Sequence, residues 1–223
     1  MSADPTSQRF GWEPAPQQGW VASHIASEFP GLGIAWVEVD AKPGKSPEPV
    51  RQRLRELSDR TYGSQAIRLR ERPIPWAYRV FYRQIGLDPD RTRTPIEQLT
   101  LDRLHDGGFR SNGLPKDALD IAIVETGVAL RAFDAESVAG RLCIRDSAPG
   151  ESLAGMPGEM AMGTLVIADE TRPLGLLFGA TAEGVAVERT SRRVAVAAVQ
   201  VQGVPQIAVE EALWMAGSTL EAA

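Results

Sequence analysis

The sequence predicts a chain of mixed helices and strands around one sizeable core. Three observations predict it. The chain has 223 residues, 43% of them hydrophobic, which suffices for one large domain or two small ones. Segments with apolar residues three and four apart, flanked by capping signals, coexist with runs that alternate apolar and polar. The stretch RRVAVAAVQV (192–201) carries small apolar residues on both faces, as a strand in the interior of a sheet does.

The elements follow in order. Residues 1–18 are polar and Pro-rich and predict a flexible tail, with Trp12 able to pin it to the surface. A single domain then fills 19–223, with no domain-length linker. Gly33–Asp40 (GIAWVEVD) alternates as a strand. Lys42–Pro49 is a loop, and Ser46 followed by Pro47 reads as a cap and first turn. In the helix that follows, Val50, Leu54 and Leu57 share one face; Arg51, Arg53, Arg55 and Arg60 lie elsewhere. Arg72–Gly86 reads as a helix opened by Pro75, with Trp76, Val80 and Phe81 inward. Thr94-Pro95-Ile96-Glu97 is a capping box, and its helix runs to about His105, ending at Gly107-Gly108. Lys116–Thr126 is the next helix, closed by Gly127. Strands are predicted at Val128–Phe133, Leu142–Arg145, Leu165–Ala168, Leu174–Phe178 and Arg193–Gln202, with a loop at Pro149–Met162. Gln206–Gly217 closes the chain as an amphipathic helix with Leu213 and Trp214 inward.

Composition excludes several classes. No run of about 18 apolar residues exists to span a membrane, and the polar N-terminus lacks the apolar core of a signal peptide. A lone cysteine, Cys143, excludes an internal disulfide framework and fits a reducing cytoplasm. With His24 and His105 as the two histidines, the chain offers little for a zinc site, and no metal or cofactor is expected. The net charge of −5 argues against an indiscriminate nucleic-acid binder. The charge is uneven, however: residues 51–110 hold 13 Arg against 8 acidic residues, an excess of +5. Arginine forks onto phosphates. Arg79, Tyr82, Arg83, Arg91 and Arg93 could therefore grip and stack on RNA; equally, the tyrosines could edge the core and the arginines form solvated helix faces.

Nucleotide and nucleophile motifs are missing. No phosphate-binding glycine loop is present, GATAEG (Gly179–Gly184) is too loose to cradle a phosphate, and no serine sits in a nucleophile elbow. Asp169-Glu170 after a strand reads either as an acid pair or as an exposed turn.

Five segments in order carry a family resemblance: GVALRAFD (Gly127–Asp134), IRDSAPGE (Ile144–Glu151), TLVIAD (Thr164–Asp169), LGLLFG (Leu174–Gly179) and Thr190 before the last strand. Together they resemble the editing module of the bacterial phenylalanyl-tRNA synthetase beta subunit. Ile74–Leu99 and Asp117–Gly127 are similar to freestanding relatives of that module. The resemblance spans roughly residues 19–204. It implies an α+β single domain, a three-layer β/β/α arrangement with a β-sandwich-like core. It also implies hydrolysis of a wrongly attached amino acid from aminoacyl-tRNA, in trans, or a non-catalytic tRNA- or amino-acid-binding module that has lost that chemistry.

The family site uses a histidine before A-F-D, an asparagine on the preceding helix and a glutamate on the last strand. Here these positions carry Arg131, Asp120 and an alanine near Ala197. The resemblance thus implies Arg131 and Asp120 as catalytic candidates, with Glu125, Asp134, Gly179 and Thr190 around the substrate. Arg131 could steady an oxyanion but not act as a base. Asp120 could be a base if burial raised its pKa. Asp120 and Glu125 are about 140° apart around a helix, so one of them points elsewhere, and Asp120 is expected in the pocket. The residues also admit a plain reading: Asp134 caps a turn, Arg131 pairs with a carboxylate and Glu125 sits in an ordinary last turn. Both histidines are expected outside the pocket.

Overall fold

Two four-stranded sheets and a layer of helices make up the computed structural model, which describes residues 15–61, 63 and 68–223. In sheet A the order is β1 (Gln17–Gln18), β3 (Gly33–Asp40), β8 (Arg193–Gln200), β4 (Ala129–Asp134), all antiparallel. In sheet B it is β2 (Trp20–Val21), β5 (Cys143–Asp146), β6 (Leu165–Ala168), β7 (Pro173–Leu176), with β2 parallel to β5 and the rest antiparallel. The chain passes from one sheet to the other at Gly19. A Cβ there would lie 2.5 Å from both the Ile34 side chain and the Leu142 carbonyl, so only glycine fits the crossing.

Burial reports the layering. Val194 to Val199 of β8 are completely buried, so both faces of sheet A are covered. Among the helices, α5 (Lys116–Thr126) and α6 (Gln206–Glu221) pack on each other, and α6 packs on β3 and β8. α2 (Glu48–Arg60) and α4 (Pro95–Asp106) pack against α5. Sheet B supplies Ile144, Ile167 and Leu174 to the common core, joined by Leu142 just before β5. Its alternate residues Cys143, Val166 and Ala168 form a small cluster of their own under Met160 and Leu176. The result is the expected α+β, three-layer β/β/α arrangement. No helix among the described residues is long and apolar enough to cross a membrane.

Local readings and structure agree where capping and alternation are strong. β3 and α5 have the expected bounds. α4 opens on the Thr94–Glu97 capping box and ends at Gly107. β6 also has its expected bounds and β8 its expected start, the other strand ends differ from expectation by one or two residues, and α6 extends to Glu221. Four readings differ more. Gln17 and Gln18, expected in the tail, pair with β3; Trp12 lies outside the described residues. Ser46 does not cap α2: its hydroxyl donates to Asp117 Oδ2 at 2.7 Å, both residues being buried, and Pro47 takes the cap position. In α3 (Pro73–Gln84), Trp76 and Val80 are exposed, while Tyr78, Arg79, Phe81 and Tyr82 are buried. Trp214 of α6 likewise lies toward the surface, at 36% exposure. A six-residue helix, α1 (Ser23–Glu28), lies between β2 and β3.

Candidate functional site

Arg131 is a bridge between the sheets. It stands opposite Ala197 of β8 on β4, and its side chain reaches the turn that follows β7. Nη1 donates to the carbonyls of Leu176 at 2.9 Å and Gly179 at 2.8 Å, and Nη2 donates to Thr181 Oγ1 at 2.6 Å. The guanidinium carbon lies 5.9 Å from the Phe133 ring centre. Gly175 leaves room for it: a Cβ there would be 3.2 Å from Nη2 and 2.8 Å from the Ala180 carbonyl. Burial pulls the guanidinium below its ordinary pKa, opposed by nearby Tyr82. The expected carboxylate partner is replaced by two carbonyls and a hydroxyl.

Of the residues placed around Arg131 by the sequence, Gly179 accepts from it, while Asp120, Glu125 and Asp134 have other partners. Asp120 belongs to the helical layer. Its carboxylate is buried, accepts from Lys116 Nζ at 2.6 Å, and has Asp117 and Asp102 as further charged neighbours. Desolvation raises its pKa despite Lys116, as a general base would need, whereas Arg131 is bonded to the turn that follows β7. Glu125 is held by α2, with Oε1 accepting from Arg53 at 2.5 Å and Arg60 at 2.9 Å. Asp134 does cap a turn. It accepts from the Glu136 N–H at 3.1 Å and from Ser191 Oγ at 2.8 Å, and Thr190 is exposed beside that serine. Asp169 accepts from the backbone of Ala139, Thr171 and Arg172 and from the Thr171 hydroxyl, so the Asp169-Glu170 step is a turn.

A pocket of about 710 Å³ is lined in part by the Leu176–Gly179 turn, without Arg131. Its volume is within the range of small-molecule sites. α1 supplies His24, Ile25 and Glu28 to it, with Phe29 just beyond; the end of α3 and the loop after it supply Gln84, Ile85, Leu87 and Thr92; β5 supplies Asp146, and Thr164 precedes β6. Its floor is apolar, with Phe178 packed edge-on to Phe81. His24 Nε2 lies 3.1 Å from Asp146 Oδ1. Of the expected site residues, Gly179 alone lines this pocket. His24, expected outside the family-like pocket, stands in the wall of this other one, and its contact with a residue 122 positions away carries no local sequence signal. Asp146 lay within a quoted family segment, but nothing in that segment marked its side chain.

The arginine-rich stretch divides in two. Arg79 is 5% exposed at its side chain and bonds Glu97 Oε1 at 2.5 Å and Asp90 Oδ1 at 2.7 Å. Burial works against its charge, but Asp90 and Glu97 outweigh it and raise its pKa. Tyr82 is 1% exposed, its ring centre 4.8 Å from that of Phe178; desolvation drives its pKa upward. Both side chains are buried with partners inside the domain and, in this structure, offer little surface to the RNA they were expected to contact. Arg83, Arg91 and Arg93 are exposed, and Arg83 lies 5.8 Å over the ring of exposed Trp76. In sequence these arginines flank Gln84 and Thr92, two residues of the pocket wall.

Comparison with known proteins follows the same regions. A family model described as B3/4 domain matches residues 77–209, more than half of the chain. The phenylalanine–tRNA ligase beta subunit of Methylococcus capsulatus is 36% identical over 94 residues, covering 41% of this chain and 12% of that subunit. The Nitrosospira multiformis subunit is 36% identical over 112 residues, 46% of this chain and 14% of its own length. That of Hahella chejuensis is 33% identical over 85 residues, 37% and 11%. The chain thus spans about a tenth to a seventh of these relatives. An N-terminal fragment of the phenylalanyl-tRNA synthetase beta subunit from Pyrococcus horikoshii has a TM-score of 0.43 at 13% identity, covering 92% of this chain and 52% of that one.

Proposed function

This chain belongs to the B3/4 domain family, and on that premise we propose that it is a tRNA-related binding module that does not use Arg131 and Asp120 for hydrolysis. The observation that carries the non-catalytic part is the state of Arg131. Three of its N–H bonds are committed to Leu176, Gly179 and Thr181, and Asp120, the one candidate base, sits in another layer beside Lys116. General base catalysis needs the base within hydrogen-bond reach of its proton. The binding part is supported by the likeness to phenylalanine–tRNA ligase beta subunits and by the exposed Arg83, Arg91 and Arg93. Such side chains suit phosphate, where each contact releases counterions. In this reading the polynucleotide crosses the exposed arginine surface, and Trp76 under Arg83 extends it.

Filter retention of tRNA at several salt concentrations tests the reading. Binding should weaken with salt, with a log–log slope of about −0.7 to −0.9 per phosphate contact. Arg83→Ala and Arg93→Ala should each flatten the slope by about one contact. Salt-independent binding, or variants identical to the parent, would refute it. A panel of mischarged tRNAs incubated with the same protein separates the hydrolytic alternative: release of the amino acid would restore deacylation in trans, with a base other than Asp120.

A further inference from the structure

We propose that a second cavity, between the loops that precede α2, α5 and β8, binds a phosphate group, free or as a small phosphomonoester. The inference stands on this cavity and does not rest on the tRNA reading. The cavity holds about 580 Å³, which leaves room for a compact organic body beside the phosphate. Three segments far apart in sequence wall it: 43–46, 111–114 and 187–189, with Arg51 of α2 beside them. They are fastened to one another. Gly44 and Leu114 exchange backbone hydrogen bonds at 3.2 and 2.7 Å. A Cβ on Gly113, whose φ is +87°, would lie 2.4 Å from the Gly44 carbonyl oxygen, so only glycine allows this approach. The Ala41 N–H donates to the Arg192 carbonyl at 3.0 Å. Asp117, completely buried, accepts from the hydroxyls of Ser46 and Ser111 and from the Asn112 N–H. It therefore fixes the wall without engaging any of the cations there.

Charge and unmet donors both point to an anion. The lining holds Lys45, Arg51 and Arg189 against one carboxylate, Glu188, in a chain whose net charge is −5. The side chains of Lys45 and Arg189 are exposed and make no ion pair or hydrogen bond among the described residues. Arg51 gives Nε and Nη2 to Glu48 and keeps Nη1 for another acceptor. Ser46 supplies an observation independent of charge. It is 1% exposed, and its backbone N–H meets no acceptor among the described residues. A buried N–H is nearly always paired, so this donor in the cavity wall calls for an acceptor that these residues do not supply. Phosphate offers acceptor oxygens on every side, suits the fork of an arginine and takes a lysine as a point charge.

Isothermal titration of the full chain at low salt tests this with three probes: AMP, adenosine and inorganic phosphate. AMP should bind, and adenosine, which lacks the phosphate, should bind about tenfold more weakly. AMP bound more tightly than inorganic phosphate would assign the cavity to a phosphomonoester; equal affinities would assign it to the free ion. Lys45→Ala and Arg189→Ala, both at exposed positions, should each weaken phosphate binding about tenfold with an unchanged melting temperature. Arg83→Ala, outside the cavity lining, should leave it as it is. Adenosine bound as tightly as AMP, no phosphate probe bound, or binding unaffected in both cavity variants would overturn the assignment. So would cavity variants that weaken tRNA retention and leave AMP binding unchanged, since their cations would then serve a polynucleotide surface.

Discussion

Replacing Arg131 by alanine should damage stability first, and any function only through it. The side chain makes three hydrogen bonds at 2.6–2.9 Å, each with a charged donor and so worth about 1.5–3 kcal/mol at a fully dry site. Two features reduce that sum. Gly179 is exposed, so its carbonyl can turn to water when the arginine is gone. The guanidinium is itself disfavoured by burial, as its lowered pKa reports, and its removal returns part of that cost. The carbonyl of half-buried Leu176, the Thr181 hydroxyl and the packing over Phe133 remain as losses. The net is about 3 kcal/mol. For a domain of this size that is a melting temperature lower by roughly 6–12 °C.

Urea unfolding followed by tryptophan fluorescence gives the free energy, and a thermal scan gives the melting temperature. Arg131→Lys separates charge from geometry. A lysine keeps the cation but lacks the planar fork that spans two carbonyls and a hydroxyl, so it should recover little of the loss. A wild-type melting temperature in Arg131→Ala would refute the bridging role. An unchanged stability with a lost tRNA or ligand response would show that Arg131 meets the ligand directly.

Two further expectations concern the ion pairs. Arg79→Met should cost about 3–5 kcal/mol in urea unfolding, because Glu97, 8% exposed at its side chain, is left as a buried charge without its partner; Arg83→Met, at an exposed site, should change stability little. Arg145 forks onto Glu151 at 2.6 and 2.8 Å and holds its pKa below the ordinary glutamate value, so the charged pair favours the fold above about pH 4.3 and the gain is lost as pH falls through the lower folded value. Glu151→Gln should accordingly be less stable than the parent at pH 7 and converge with it toward pH 3; a gap that does not depend on pH would contradict this.

α3 shows where sequence reading stops. Apolar spacing there admits two stripes. Trp76 and Val80 suggest one, and Tyr78, Phe81, Tyr82 and Ile85 make the other. The fold buries Tyr78, Phe81 and Tyr82 of the second and half-buries Ile85, and the polar tips of Tyr78 and Arg79 that go in with them are met from a distance. Tyr78 Oη donates to the Val199 carbonyl at 2.5 Å and accepts from the Ala129 N–H at 3.0 Å. Arg79 is met by Glu97 and Asp90. A buried polar group is tolerated only with its partner in place, and a partner 51 or 121 residues away is invisible in a local pattern. By contrast β3, β8 and α5 were legible because alternation, two-sided apolarity and a closing glycine are properties of neighbours in sequence.

The candidate site divides along the same line. That Arg131 takes the place of a histidine was readable from GVALRAFD, since a family position is a local fact. What Arg131 does there was not, because its acceptors lie 45 to 50 residues on and two of them are backbone carbonyls, which every residue possesses. Gly175, inside the family-like segment LGLLFG, makes room for it by lacking a Cβ. The pocket was less legible still. His24 and Glu28 come from α1, upstream of the matched residues 77–209, whereas Asp146 and the Leu176–Gly179 turn fall within them. One side of its wall is thus built from the part of the chain that the family match covers and the other from a short helix outside it. A change of ligand between relatives could then arise in α1 alone, leaving the sheets and the Arg131 bridge as they are.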